Sequence, residues 1–539
     1  MATYGIDLGT TNSCIAYVDD SGRPVILRSA GGEDTTPSVV YFETPENVVV
    51  GRQAKDSALL APELVVELVK RQMGQDVRYT FHGQQHTPES VSALILRELA
   101  RAAAEQAGEE IHDVVITVPA YFGLLEREAT QKAGQIAGLN VLAVLAEPVA
   151  AALAYQALGE TKGVRHLLVY DLGGGTFDTT VIRIDGDDIK VVCTDGDAQL
   201  GGADWDGKIV DFLLSSFTSQ YPDLDPSGDE QFMQDLATSA EQLKKALSSA
   251  VTRKHTVRFG GSATQLELTR EHLEELTSEL FERTMKITGR TIETAREKGI
   301  DHFDDVLLVG GMTIMPSIAR TLKERFGLNA RQQDPHLAVA KGAAIFALIQ
   351  EIKVSMTDEG DAAQVEVVAA RLGKEPEEIT RIYRKKVATV VPRAFGIKVV
   401  DVDDPVFKTD PDSAREYIDH LLAANTQLPA DTSPETFRTI ADNQRQVLLE
   451  VWEQAGAVAS ENLEHNVFVG KGLLEDLPPR PAGAPFQVVF HMTETGLLKV
   501  HGWEPESGSE VRFEIQIGRL DESQVRAAAS QVTGYDVSG

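Results

Sequence analysis

Tyr4-Gly-Ile-Asp-Leu-Gly-Thr-Thr11 returns 164 positions later as Val169-Tyr-Asp-Leu-Gly-Gly-Gly-Thr176. In both stretches an apolar run, read as a buried strand, ends at an Asp, and Gly and Thr follow at once in a tight turn. A duplicated lobe that closes on one ligand produces such an echo. Glycine lets the backbone come close to a polyphosphate and turn its N–H groups inward, while Thr hydroxyls add donors. Asp7 and Asp171 cannot face phosphates bare, so the pair implies a hydrated Mg²⁺ between carboxylate and nucleotide. One such segment alone also reads as a hairpin turn with a capping Asp; two of them favour phosphate loops.

Outward from these loops, residues 4–350 alternate short β-rich runs with helical stretches, the pattern of an α/β domain. Val114–Val118, His166–Tyr170 and Val306–Val309 are too uniformly apolar to alternate and are predicted as fully buried strands. Helices are predicted over Glu89–Gln106, Leu124–Ala137, Glu230–Ser249 and Arg270–Lys298. Residues 354–386 change character: Met356–Ala362 is polar and turn-like, and Gln364–Tyr383 holds two helical segments, the second opening at Glu375-Pro-Glu-Glu. This reads as an interdomain insert. Beyond it, strands are predicted at Val447–Val451, Phe486–Phe490, Leu497–Val500 and Val511–Ile517, between Pro, Gly and Asp clusters, which is a β-sandwich composition. Asp521–Ser530 reads as one short helix before a loose end. The expected division is 1–350, an α/β nucleotide-binding domain; 351–389, a linker with its insert; 390–520, a β-sandwich; and 521–539, a helix and tail.

Length and composition bound the function. The 539 residues suffice for two or three cores. A formal charge of −31 makes a nucleic-acid backbone an unsuitable main ligand, because such binding releases counterions to Lys and Arg. A small nucleotide is not excluded, since backbone N–H groups and a metal can hold its phosphates. Cys14 and Cys193 give neither a disulfide framework nor a four-ligand zinc site, and the first residues lack a secretion signal, so a cytoplasmic protein is expected. The most membrane-like stretch, Leu139–Leu158, is interrupted by Glu147-Pro148 and reads as a buried strand, turn and helix. Gly202–Ile209 has the spacing of a Walker loop but ends in Ile where a metal-binding Ser or Thr is required.

The chain resembles the ATPase domain of DnaK-type chaperones, the seventy-kilodalton heat-shock family. The resemblance is carried in family order by Gly5–Ser13, Val115–Phe122, Glu147–Ala152, Asp171–Asp178, Leu200–Asp206, Val309–Pro316 and Ala338–Ala344. It implies an α/β, two-lobed, actin-like ATPase fold with ATP or ADP, Mg²⁺ and accessory K⁺ in the cleft. It further implies that Gly9, Thr10, Thr11 and Asn12 meet the β- and γ-phosphates, with Gly173, Gly174, Gly175, Thr176, Gly201 and Gly202 clamping from the other lobe. Lys70 matches the lysine near the γ-phosphate, Glu147 the acid near the attacking water, and Asp7 and Asp171 the metal side; Thr176 stands with Lys70, Glu147 and Asp171 in the catalytic set. Such chemistry rests on positioning and charge stabilisation.

On the nucleoside side the matching residues are Glu241, Lys244, Lys245, Ser248, Gly310, Gly311 and Met312. Here the pattern departs: Lys245 replaces a stacking arginine, Ile314 a second one, Met312 a serine, His336 an acid and, beside the phosphate glycines, Ala203 a glutamate. A lysine cannot reproduce planar stacking, and each lost contact costs ~1–2 kcal/mol, so weakened adenine affinity is expected. The linker Arg384–Val391 is basic where the family's is acidic, which puts coupling and stimulation by a DnaJ-type partner in question.

From about Val390 the chain is similar to the family's peptide-binding β-sandwich, chiefly through Phe437-Arg-Thr-Ile-Ala-Asp-Asn-Gln444. The resemblance implies that Ile397, Val400, Phe437, Ile440 and Val447 line a channel for an extended apolar peptide, though each also reads as ordinary core. Loops at Asp401–Ser413 and Gln454–Asn466 are extra, and the family's long helical lid is not expected beyond Leu520. The function expected is an ATP-dependent chaperone that binds unfolded polypeptide, with a DnaJ-type cochaperone and a nucleotide exchange factor as partners, and neither nucleic acid nor membrane. Two alternatives are a weakly active nucleotide-sensing or exchange-partner relative, and another actin-fold ATPase or sugar kinase; the latter families lack a module bearing Phe437–Gln444.

Overall fold

The computed structural model describes residues 3–157, 163–332, 334–356, 361–410, 413–456, 458–494, 496–515 and 520–539. The expected turn at 357–360, the end of the apolar stretch at Leu158, positions 411–412 of the first extra loop, position 457 of the second and Gln516–Ile517 of the expected last strand lie outside these residues.

Two sheets with one topology lie at the centre of the first 350 residues. In the first, strands Asn140–Ala146, Asp113–Val118, Tyr4–Asp7, Asn12–Val18 and Pro24–Leu27 lie side by side in that order. In the second the order is Ala330–Gln332, Asp305–Val309, Val164–Leu172, Phe177–Asp185 and Asp188–Asp197. Each sheet is an antiparallel three-strand meander to which two later strands are added in parallel on the same side. The sequence echo is thus an echo of topology, with Asp7 and Asp171 at the same hairpin in each lobe. Between the lobes the Ala338–Ser355 helix crosses the Glu147–Gln156 helix so closely that a Cβ at Gly342 would lie 1.7 Å from the Ala150 carbonyl oxygen.

Several elements differ from expectation. The predicted Arg270–Lys298 helix is two helices, Arg270–Leu276 and Ser278–Glu297. The break is at Thr277, whose hydroxyl donates to the Leu273 carbonyl at 2.8 Å, a side-chain bond that competes with helix continuation. The Leu139–Leu158 stretch contains no intervening turn: strand Asn140–Ala146 runs directly into the Glu147–Gln156 helix. Among the described residues no helix is long and apolar enough to cross a membrane.

The insert forms helices Ala362–Leu372 and Pro376–Arg384, which send Val365, Val368, Ile379 and Ile382 into the core between the lobes. The chain then continues as a linker strand, Val387–Ala388, on the free edge of the second lobe's sheet, parallel to Ile189–Lys190. Its basic character is matched locally, since Lys385 Nζ lies 3.7 Å from Asp187 Oδ1.

Beyond the linker, strands Glu416–Leu422, Phe395–Val400, Val447–Gln454 and Asn466–Leu474 make one antiparallel sheet. Pro485–Met492, Leu498–Trp503 and Glu510–Glu514 make another, edged by Ala430–Asp431 and Glu435–Arg438. Ile397, Leu449 and Val451 of the first share a core with Val488, Phe490 and Val500 of the second. This module rests on the first lobe: Leu124 and Leu125 pack against its core, Tyr121 donates to the Gly456 carbonyl at 2.8 Å, and Arg393 meets Glu126 at 3.2 Å. The last residues are not loose. Helix Glu522–Thr533 and a strand, Asp536–Ser538, lie on the first lobe.

Candidate nucleotide site

The two Gly-Thr turns face each other. A Cβ at Gly175 would lie 2.2 Å from Thr10 Cγ2, and one at Gly174 2.3 Å from the Thr11 side chain, so only glycine lets the loops approach. Gly201 abuts the Gly175 backbone in the same way, and Gly202 N and Ala203 N donate to the Gly173 and Gly174 carbonyls at 3.0 and 2.8 Å. In the first lobe's turn Gly9 N donates to Ser13 Oγ at 3.1 Å, and Ser38 Oγ closes the turn on the Gly9 carbonyl at 2.7 Å. Asn12 is exposed beside them and Thr176 is buried.

Behind the loops lies a charged floor. Lys70, held in a short 3-10 helix Val69–Gln72, is buried and pairs with Glu147 Oε1 at 2.6 Å. Glu147 is the first residue of its helix, which holds the carboxylate at the favourable positive end. Asp7 Oδ1 accepts from Thr117 Oγ1 at 3.0 Å, and Asp178 Oδ1 from Tyr121 N at 3.0 Å. Burial, then the Glu147 charge, pushes Asp7 up to about 7 and Asp178 to about 8, and the same causes hold Asp171 well above the usual carboxylate range. Asp171 Oδ2 is buried with no hydrogen-bond partner.

Four acids around one ammonium, with an orphaned carboxylate oxygen, suit a divalent cation. Among the described residues no three acid, His or Cys side chains converge as a cage. That donor set fits Mg²⁺, which keeps waters and takes one or two carboxylates together with substrate phosphates.

Arg71, Asp204 and Asp178 also belong to this site and were not singled out from the sequence. Arg71 Nε donates to the Gly175 carbonyl at 2.8 Å, and its other nitrogens reach Asp204 Oδ1 and Oδ2 at 3.2 and 2.5 Å, tying the first lobe to the second. Arg71 adjoins Lys70, and both acids stand inside quoted motifs, so adjacency was the available signal.

On the nucleoside side the polar groups are largely paired with one another. Lys244 Nζ donates to the Gly202 carbonyl at 2.8 Å and to Asp206 Oδ2 at 2.7 Å. Glu241 bridges Lys55 and Lys245; burial alone would raise it, but the two ammonium groups prevail and hold it at about 2. Ser248 Oγ reaches back to the Lys244 carbonyl at 3.5 Å. The Met312 side chain fills the space over Gly202, His336 lies against Gly311, and Ile314 is exposed. Gly310 takes φ +84°, where a Cβ would strike the Leu172 carbonyl oxygen at 2.3 Å. Through Gly202, which meets Lys244 and Met312, and Gly310, which meets Asp171 and Leu172, the nucleoside-side residues adjoin the facing turns.

The proposed peptide residues are distributed differently. Ile397 and Val447 are buried in the shared core of the two sheets, Phe437 packs against that core with its ring 5.9 Å from Phe486, and Val400 and Ile440 are half-buried.

Such a fold, with two lobes of one topology and facing Gly-Thr turns, is that of a two-lobed ATPase. The Hsp70 protein family model matches residues 3–369 and 407–533. The chain is 34% identical to "Chaperone protein DnaK" of Thermotoga neapolitana over 543 residues, covering 99% of this chain and 83% of that protein. The chain belongs to the Hsp70 family. It is accordingly an ATP-dependent chaperone and an ATPase, its two lobes are the actin-like ones of that family, and the nucleotide is ATP or ADP with Mg²⁺. The unmatched residues 370–406 hold the second insert helix and the linker.

Proposed function

We propose that this chain hydrolyses ATP at the Lys70–Glu147 pair and uses the cycle to change the grip of its two-sheet module on extended apolar segments of unfolded polypeptide. The observation that carries the reading is the buried ammonium–carboxylate pair, 2.6 Å apart, behind two facing phosphate turns. Lys70 stabilises charge on the γ-phosphate, Glu147 orients the attacking water, and Thr10, Thr11, Asn12 and the Gly173–Thr176 and Gly201–Gly202 backbones hold the phosphates. Mg²⁺ near Asp7 and Asp171 supplies charge neutralisation of the phosphates, with K⁺ as an accessory cation. The nucleoside lies among Glu241, Lys244, Lys245, Ser248, Gly310, Gly311 and Met312. Val400, Phe437 and Ile440 contribute to the peptide surface of a β-sandwich, over a floor of Ile397 and Val447. A DnaJ-type cochaperone and an exchange factor act on this cycle in a cytoplasmic setting, which the two free cysteines suit.

Single-turnover hydrolysis of Mg²⁺·ATP, with and without an unfolded apolar peptide, tests this. Peptide is expected to accelerate a hydrolysis that Lys70→Ala reduces by about 10²- to 10³-fold, the scale of losing one preorganised charge. ATP that binds but is neither turned over nor affected by peptide overturns the reading.

A further inference from the structure

The two-sheet module is tied to the ATPase at both ends. It is entered from the second lobe, where Ile189 N donates to the Lys386 carbonyl at 2.8 Å and the linker strand pairs beyond it. Asn425 adds to that attachment, since its side chain accepts from Thr194 N at 2.8 Å and its carbonyl from Lys298 Nζ at 2.6 Å.

The module is left onto the first lobe. Asp536, Val537 and Ser538 run parallel to Asn47, Val48 and Val49, so the C-terminal strand extends the sheet of Val40–Phe42 and Asn47–Val50. Tyr535 is buried edge-on to Phe42, with its hydroxyl on Gln84 and 3.2 Å from His86 Nε2. Arg97 donates to the Val532 and Tyr535 carbonyls, Lys132 to the Leu520 carbonyl, and Leu520, Val532, Tyr535 and Val537 join the first lobe's core. Between these few anchors the C-terminal helix is mostly exposed, with Val532 as its buried residue.

Strand addition gives main-chain affinity without a large apolar footprint, and a three-residue parallel pairing is the kind of contact that opens locally. The lobes face each other across the phosphate turns, and a chain fixed to both spans their cleft a second time. A relative rotation of the lobes therefore moves the module, slips the strand or is resisted.

We propose that the Asn47–Val49 edge, with its Phe42–His86 pocket, is a docking surface for the chain's own C-terminal strand, and that this strand is a releasable strap. Docked, it adds a second hold on the first lobe to the one made through Leu124, Leu125, Tyr121 and Arg393, and so restrains lobe opening; released, it leaves the module on the linker and on those contacts. The inference rests on the nucleotide reading of the cleft for its consequence, not for the docking.

The test uses the full chain with an N47C/D536C pair at the facing register positions; the native cysteines, Cys14 and Cys193, are buried. Mass spectrometry is expected to show the new disulfide after mild oxidation, and failure to form it overturns the docking. In the oxidised form a fluorescent ADP with Mg²⁺ is expected to dissociate at least fivefold more slowly than after reduction, and a smaller difference overturns the strap. Tyr535→Ala is expected to speed release, but the oxidised and reduced pair decides the matter, because it does not depend on how the substitution folds. If the protein binds no nucleotide, the disulfide yield still decides the docking, so failure of the nucleotide reading is told apart.

Discussion

Lys70 and Glu147 face each other at 2.6 Å in a buried place, and removing either partner leaves an uncompensated ion. Lys70→Ala is therefore expected to cost stability as well as rate, by about 3–5 kcal/mol in the nucleotide-free protein, which a urea titration measures. Lys245 is a contrasting case. Its side chain is 66% exposed and touches Glu241 from outside, so a larger planar group has room to turn over a bound base. Lys245→Arg is expected to gain about 1 kcal/mol of stacking, roughly a fivefold tighter Mg²⁺·ADP complex by calorimetry. Lys70 could be proposed from the short motif around it, and Lys245 only from the looser likeness of its helix to the family's purine-facing one. Arg71 could not, although it sits next to Lys70, because its role depends on Gly175 and Asp204 in the other lobe.

At the scale of elements, local chemistry was readable and long-range pairing was not. Asp followed by Gly and Thr marks a strand end wherever it occurs, so the two hairpins could be placed in advance. Asp-Val-Ser at 536–538 has no period and no turn signal, and its partner strand lies nearly the whole chain away, so the tail read as loose. The basic linker looked unsuited to docking for a similar reason, since Asp187 is remote in sequence. The contact of the module with the Leu124–Ile136 helix carries a pH dependence. Glu453 is buried there, accepts from Leu124 N at 3.2 Å and faces Arg393, Glu126 and Arg127. Burial pushes it up to about 7, against the pull of Arg393 and with the push of Glu126. The folded state thus holds this proton more tightly than the unfolded chain, whose Glu titrates near 4.3. Its contribution to stability falls as pH rises from about 4.5 to about 7, and is flat outside that window. Glu453→Gln is expected to remove this part of the slope, which thermal midpoints of the two proteins at pH 5 and pH 7.5 compare; parallel slopes would count against it.

The whole molecule turns on the crossing of two helices. Ala338–Ser355 lies on both the Glu147–Gln156 helix and the Tyr4–Asp7 strand, and glycine makes each approach possible. A Cβ at Gly342 would be 1.7 Å from the Ala150 carbonyl oxygen, and one at Gly5 2.0 Å from Ala344 N, contacts with backbone that no rotamer change relieves. Glu147 begins the helix that would be displaced, and Asp7 ends the strand, so the crossing also sets how the two halves of the nucleotide site face each other. Gly342→Ala is expected to push the lobes apart at a cost of about 1–3 kcal/mol, the range for overpacking a tight core. Scanning calorimetry should show the ATPase transition several degrees lower. Mg²⁺·ADP stabilises the native state by mass action, about 2.7 kcal/mol at a hundred times its Kd, and chelation with EDTA should remove much of that gain. Because the substitution widens the site that the nucleotide bridges, the ligand-induced rise is expected to shrink at fixed ADP concentration. A variant that melts lower but shows the full rise would mean that the crossing fixes stability alone, and that the angle between the lobes is set elsewhere.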